Sequence, residues 1–114
     1  MKLNKFEIKA HEFRHPIEIQ RYDDGKNEDN IPVKAWNLLF TTRAKILNVR
    51  GSELQGELGN SSVIYKTFYI RTRRATQVTE LDRVVYNNNN YEIEYANDIE
   101  EAGVITEIKA KLVK

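Results

Sequence analysis

Cysteine is missing from all 114 residues, which excludes a disulfide framework and any zinc or redox site built on thiolates. A surplus of either charge is missing too. Eighteen Lys and Arg stand against 17 Asp and Glu, so the chain as a whole lacks the field of a strongly electrostatic nucleic-acid binder, and any basic effect has to be local. No segment approaches the ~20 apolar residues that a membrane-spanning helix needs, and the opening MKLNKFEIKAHEF holds no continuous apolar stretch of signal-peptide length. A soluble intracellular product is expected. With 40% hydrophobic residues the chain is large enough for one core and too small for two, so residues 1–114 are read as a single domain.

What is present is mostly strand signal. Residues Leu81 to Tyr95, LDRVVYNNNNYEIEY, are two β-branched and aromatic arms about a run of asparagines at 87–90. Asn accepts left-handed backbone better than any residue but Gly, which predicts a tight hairpin there. The following VITEIKAKLVK alternates, with Val104, Thr106, Ile108, Ala110 and Leu112 on one face and Glu107, Lys109 and Lys111 on the other. An acidic, polar turn from Ala96 to Gly103 joins the two, so the C-terminal third is an antiparallel meander. Upstream, Arg14 to Arg21 reads as a strand that tolerates Pro16 near its start, with Ile17 and Ile19 alternating against Glu18 and Gln20. Asp23 to Pro32, DDGKNEDNIP, has almost nothing apolar to offset the entropy of ordering it, and is read as a mobile loop. Its acidic groups lack the ligand spacing and flanking helices of an EF-hand. Lys34 to Phe40 and onward through Ala44 and Ile46 gives one long or two consecutive strands, with Trp36 expected as a core anchor and an aromatic ligand platform as the alternative. Val63 to Thr72 has the strongest strand propensity. Ile64, Phe68 and Ile70 lie on one face and Tyr65, Thr67 and Tyr69 on the other, where tyrosines lie under a loop or meet another protein. Five or six strands with little helix make a small antiparallel β-barrel or sandwich with one long loop.

That loop is Arg50 to Ser62, RGSELQGELGNSS. Ser52 and Gln55 have capping-box spacing, and Leu54 and Leu58 are i and i+4, which are the marks of a short helix. Gly51, Gly56 and Gly59 oppose it, each interior glycine costing about 1 kcal/mol relative to Ala. Loops of this length in compact domains are commonly functional or disordered, so the arm of Arg50, Gly51, Ser52, Glu53, Leu54, Gln55, Gly56, Glu57, Leu58 and Gly59 is the first place to look for a partner or channel contact. A second candidate is the basic knot of Arg71, Arg73 and Arg74, either a contact to DNA or an acidic partner, or a solvated strand end balanced by Glu80 and Asp82.

Catalytic patterns fail on context. His11-Glu12-Phe13-Arg14-His15 carries the letters H-E-x-x-H, whose zinc chemistry requires both histidines on one helix. Pro16 pushes His15 out of helical backbone, and the next residues alternate like a strand. Ser52, Ser61 and Ser62 have no nucleophile-elbow pattern, and no glycine-rich phosphate loop precedes a helix. No enzymatic activity and no cofactor or metal is expected.

Phe13-Arg14-His15-Pro16-Ile17-Glu18-Ile19-Gln20, Trp36 after a polar loop, Arg50-Gly51-Ser52-Glu53 opening an arm, Tyr69-Ile70-Arg71, and Arg83-Val84-Val85-Tyr86 with Tyr91-Glu92-Ile93 follow one another in the order of a known family. The chain resembles the head-closure, or head-tail joining, proteins of tailed bacteriophages with long non-contractile tails and their prophages. The likeness covers nearly the whole chain and rests on order and spacing, since each motif alone is little more than a strand. It departs from the family where Arg43-Ala44 replaces a Trp-Ala pair, and where Asn88 replaces a hairpin glycine. The resemblance implies a small β-barrel with a long loop, assembled as a ring below the portal and its adaptor at the head-tail interface of the virion. It further implies a channel through which packaged DNA passes, a docking surface for tail-completion proteins, assembly in the host cytoplasm and no membrane contact. The competing expectation is a small-barrel nucleic-acid-binding module with Trp36, Tyr65, Tyr69 and Arg71 on one exposed face.

Overall fold

The computed structural model describes residues 8–26, 28–48 and 64–113, and the candidate arm Arg50–Gly59 lies outside them. The described residues form six strands: β1 (His15–Lys26), β2 (Pro32–Asn48), β3 (Tyr65–Arg71), β4 (Asp82–Tyr86), β5 (Asn89–Asp98) and β6 (Ile105–Leu112). Every pairing is antiparallel, and the order β1-β2-β3-β6-β5-β4 closes on itself as a barrel. The only helical turns described are two short 3-10 segments, Ala10–Glu12 and Ile99–Glu101.

Alternation puts the β-branched and aromatic residues inside. Ile17, Ile19, Phe40, Ala44, Phe68, Ile70, Val84, Tyr91, Ile93, Ile108 and Ala110 make one buried cluster drawn from all six strands. Phe68 lies near its centre, with the Tyr91 and Tyr86 rings edge-on at 5.4 and 6.2 Å. A smaller cluster lies on the barrel's outer surface, where Phe13 covers Tyr69 and Ile105. Tyr69, on the tyrosine-bearing face of β3, thus lies under a chain segment, the one entering β1. Glu12 of that segment is tied to Lys45 of β2 at 2.7 Å.

The asparagine hairpin forms as expected, and tighter. Tyr86 pairs with Asn89, leaving a two-residue loop of Asn87 and Asn88 with φ of 54° and 66°, the positive pair that marks a type I′ turn. Asn89 and Asn90 belong to β5. Because a residue larger than Gly meets its own carbonyl in this region and Asn relieves this with its short polar side chain, Asn88→Ala is expected to lower stability by about 1–2 kcal/mol. Asn88→Gly is expected to retain or slightly raise it, both read from urea denaturation midpoints.

Two expectations about the N-terminal half need correction. Half of Asp23–Pro32, read as a mobile loop, is strand: β1 runs to Lys26 and β2 starts at Pro32, with Asp23 opposite Ala35 and Lys26 opposite Pro32. Cross-strand backbone pairing with Pro32–Ala35 of β2 supplies the order that the polar segment lacks by itself. Trp36 is no core anchor. It is 37% exposed, because the β1–β2 ladder slips by one residue between Ile19 and Gln20: Ile19 faces Phe40, yet Gln20 faces Leu38. This bulge reverses which face each residue of β2 presents. Phe40 points inward, whereas Leu38, 58% exposed, and Trp36 point out.

Candidate functional site

Beyond the bulge, β1 and β2 run on as a two-stranded ribbon, and its outer face carries the exposed aromatics Tyr22 and Trp36. Tyr22 pairs with Trp36 across the strands, their rings 5.3 Å apart and tilted by 58°. The guanidinium of Arg83, from β4, lies 4.3 Å from the Trp36 ring centre, and its Nε donates to Gln20 Oε1 at 2.8 Å. Burial against these neighbours draws the Arg83 pKa below its usual value. The stacked cation holds the indole in place while leaving its edge in water. Nothing in the sequence groups Tyr22, Gln20, Leu38 and Arg83 with Trp36, since the bulge that gathers them on one face has no signature in the residue pattern.

At the ribbon's base, Arg21 makes a two-pronged ion pair with the buried Asp82, Nε to Oδ1 at 2.7 Å and Nη2 to Oδ2 at 3.0 Å. Nη2 also reaches the Gln77 carbonyl at 3.1 Å, and the Thr79 backbone N–H donates to Asp82 Oδ2 at 2.9 Å. One carboxylate thereby fastens β1, β4 and the loop before β4 together. Its hydrogen bonds hold the Arg21 pKa above the usual value.

The basic knot does not converge on one point. Arg71 lies over Phe13 and Arg73 over Phe40, each 4.3 Å from the ring centre, while Arg74 passes beside Gly103, a residue with φ of +71°. All three remain exposed. Asp82, expected to balance them, is taken by Arg21.

The H-E-x-x-H letters do not form a helix. Ala10–Glu12 is a 3-10 turn and His15 already belongs to β1, where its ring meets Tyr86 edge-on at 5.9 Å. Among the described residues no group of three or more His, Asp or Glu could hold a metal ion.

The single exposed face of a nucleic-acid module is not formed either. Tyr69 is buried beneath Phe13, and Trp36 lies nine residues along β2 from Lys45, the partner of Tyr69, which is about 30 Å at the rise of a strand. Burial, with the Glu107 carboxylate accepting from the phenol at 3.2 Å, pushes the Tyr69 pKa up to about 12. An unfolded tyrosine ionises near pH 10, so this group's contribution is fully present below pH 10 and is lost as pH rises toward 12. In a spectrophotometric titration of the phenolate, Tyr69→Phe is expected to remove a component that ionises near 12.

The chain matches the phage head completion protein family over residues 8–113, and it belongs to that family. Its role is therefore structural, as a component that completes the phage head. Two solved structures share the fold. The solution structure of a Shigella flexneri 2a protein superimposes with a TM-score of 0.64 at 16% identity, covering 92% of this chain and 96% of that one. A chain from the virion of a native gene transfer agent particle does so with a TM-score of 0.61 at 14% identity, covering 88% of this chain and 94% of that one. No curated protein matches the sequence.

Proposed function

We propose that this chain is a head-closure subunit: copies assemble as a ring below the portal and its adaptor, extend the DNA channel, help retain packaged DNA and present a docking surface to the tail. The observation that carries this reading is membership in the phage head completion family across residues 8–113. The barrel suits the role. A ring subunit needs a stiff body with surface left over for neighbours, and here an all-strand core supports an exposed aromatic ribbon and three outward arginines. A near-neutral total charge, 18 basic against 17 acidic residues, also suits a channel through which DNA must move, since a strongly cationic lining would hold it. The proposed partners are the adaptor above and the tail-completion proteins below. Arg50–Gly59 is proposed, on sequence grounds, as the arm facing the channel or a neighbouring subunit, and Arg71, Arg73 and Arg74 as contacts to DNA or to an acidic partner.

Deleting the gene from its phage or prophage tests the reading. The expected particles are filled heads that lose their DNA, beside complete tails that remain unattached, seen by electron microscopy and by nuclease sensitivity of the packaged genome. Normal virions would reject the role. Complementing the deletion with a chain lacking residues 50–59 is expected to fail at the same step, and full rescue would reject the assignment of the arm.

A further inference from the structure

The barrel neighbours of β1 and β2 do not follow these strands to their ends. β4 meets β1 only from Glu18 to Arg21, and β3 meets β2 only from Lys45 to Asn48. Residues 22–26 of β1 and the facing stretch of β2 therefore have each other as partner and, among the described residues, no third strand. Every strand turns half of its backbone N–H and C=O groups away from its partner, so among the described residues the ribbon has two open edges that look in opposite directions. Proteins usually blunt such edges with charge or proline. On the β2 edge the sequence from Ala35 to Leu38 is Ala-Trp-Asn-Leu, with neither, whereas the β1 edge, residues 22–26, is Tyr-Asp-Asp-Gly-Lys and carries charge of both signs. The same ribbon exposes Tyr22, Ile31, Val33, Trp36 and Leu38. A two-stranded ribbon is marginal in water on its own, and three or more strands are needed for it to hold.

We infer that the ribbon is the element through which copies of this chain join, with the outer edge of β1 at residues 22–26 in one copy pairing with the outer edge of β2 around Ala35–Leu38 in the next. The inference rests on the ring proposed above and names its seam. In a rotationally symmetric ring every ribbon points the same way, so the outgoing β1 of one copy meets the returning β2 of its neighbour, which is the antiparallel arrangement both edges need. The two contacting edges differ, which makes the contact heterologous, the kind that closes into rings. Each ribbon strand then has a neighbour on both sides.

The chain has no cysteine, so single introduced thiols report cleanly. Tyr22→Cys and Leu38→Cys chains, expressed together to complement the deletion, are incorporated into particles and treated with a bis-maleimide short enough to join only adjacent strands. A covalent dimer is expected from the mixture and from neither variant alone. A dimer from Leu38→Cys alone would mean that like edges meet, and would overturn the inference. If the mixture gives no dimer while an amine-reactive cross-linker still produces a ladder of multimers from the same particles, the ring stands and this seam is wrong. If that ladder is also missing, the ring itself falls. Should the first pair not enter particles, Asp23→Cys and Ala35→Cys, both exposed on the ribbon's other face, give the same readout.

Discussion

Phe68→Ala is expected to destabilise the barrel by about 3–5 kcal/mol, the range for truncating a fully buried phenylalanine. The position is fully buried, and the ring is held by two edge-on aromatic contacts whose specific geometry adds to the area lost. Its backbone sits between Ile46 of β2 and Ile108 of β6, so the cavity would open beneath a strand bonded on both sides, which cannot easily close in. Against a total of about 5–15 kcal/mol for a domain, this is enough to leave the variant poorly folded at growth temperature. Urea denaturation measures it. Leu81→Ala, at a side chain 80% exposed, is the control and is expected to stay within about 0.5 kcal/mol of the parent.

The Arg21–Asp82 pair yields the second large effect, with an asymmetry that distinguishes its two halves. The Asp82 side chain is wholly buried, whereas that of Arg21 is 33% exposed. Removing the arginine strands a carboxylate away from water, and Arg21→Ala is expected to cost about 3–5 kcal/mol. Removing the carboxylate leaves a cation that can swing toward solvent, so Asp82→Ala is expected to cost less, about 2–3 kcal/mol, mainly through the lost charged hydrogen bonds to Arg21 and Thr79. Replacing both together with apolar residues of similar volume is expected to recover much of either loss. Equal penalties for the two single variants, measured side by side in denaturant, would contradict this account.

The all-strand barrel was legible because its information is local. Alternation in β3 and β6, and the asparagine turn between β4 and β5, each specify themselves within about ten residues; of the faces they imply, Phe68, Ile70, Ile108 and Ala110 are buried, whereas Ile64 and Val104, just outside the strand ends, are exposed. What could not be read depends on partners distant in the chain. Trp36, Leu38 and Phe40 are spaced two apart and look like one apolar face, yet the slip opposite Ile19 and Gln20 splits them. That slip is a property of the pair of strands and leaves no mark in either alone. The polar segment after Tyr22 becomes strand for the same reason. Asp82 likewise reads as a solvated charge beside Glu80, and only closure of the barrel brings Arg21 to it across 61 residues of sequence. The candidate arm stands out in the sequence by its glycines and its length, whereas the ribbon's polar composition resembles a loop.

Closure between β1 and β4 also sets the order in which the chain can condense. Strands β4, β5 and β6 are joined by short connections and can zip up early. The β1–β4 seam must bring together residues some sixty positions apart, and that loop-closing entropy is met before any contact rewards it. The seam is thus a late event on the folding path. Weakening its ion pair should hasten unfolding far more than it slows refolding, so the clasp at Arg21 governs how long the folded chain keeps its shape.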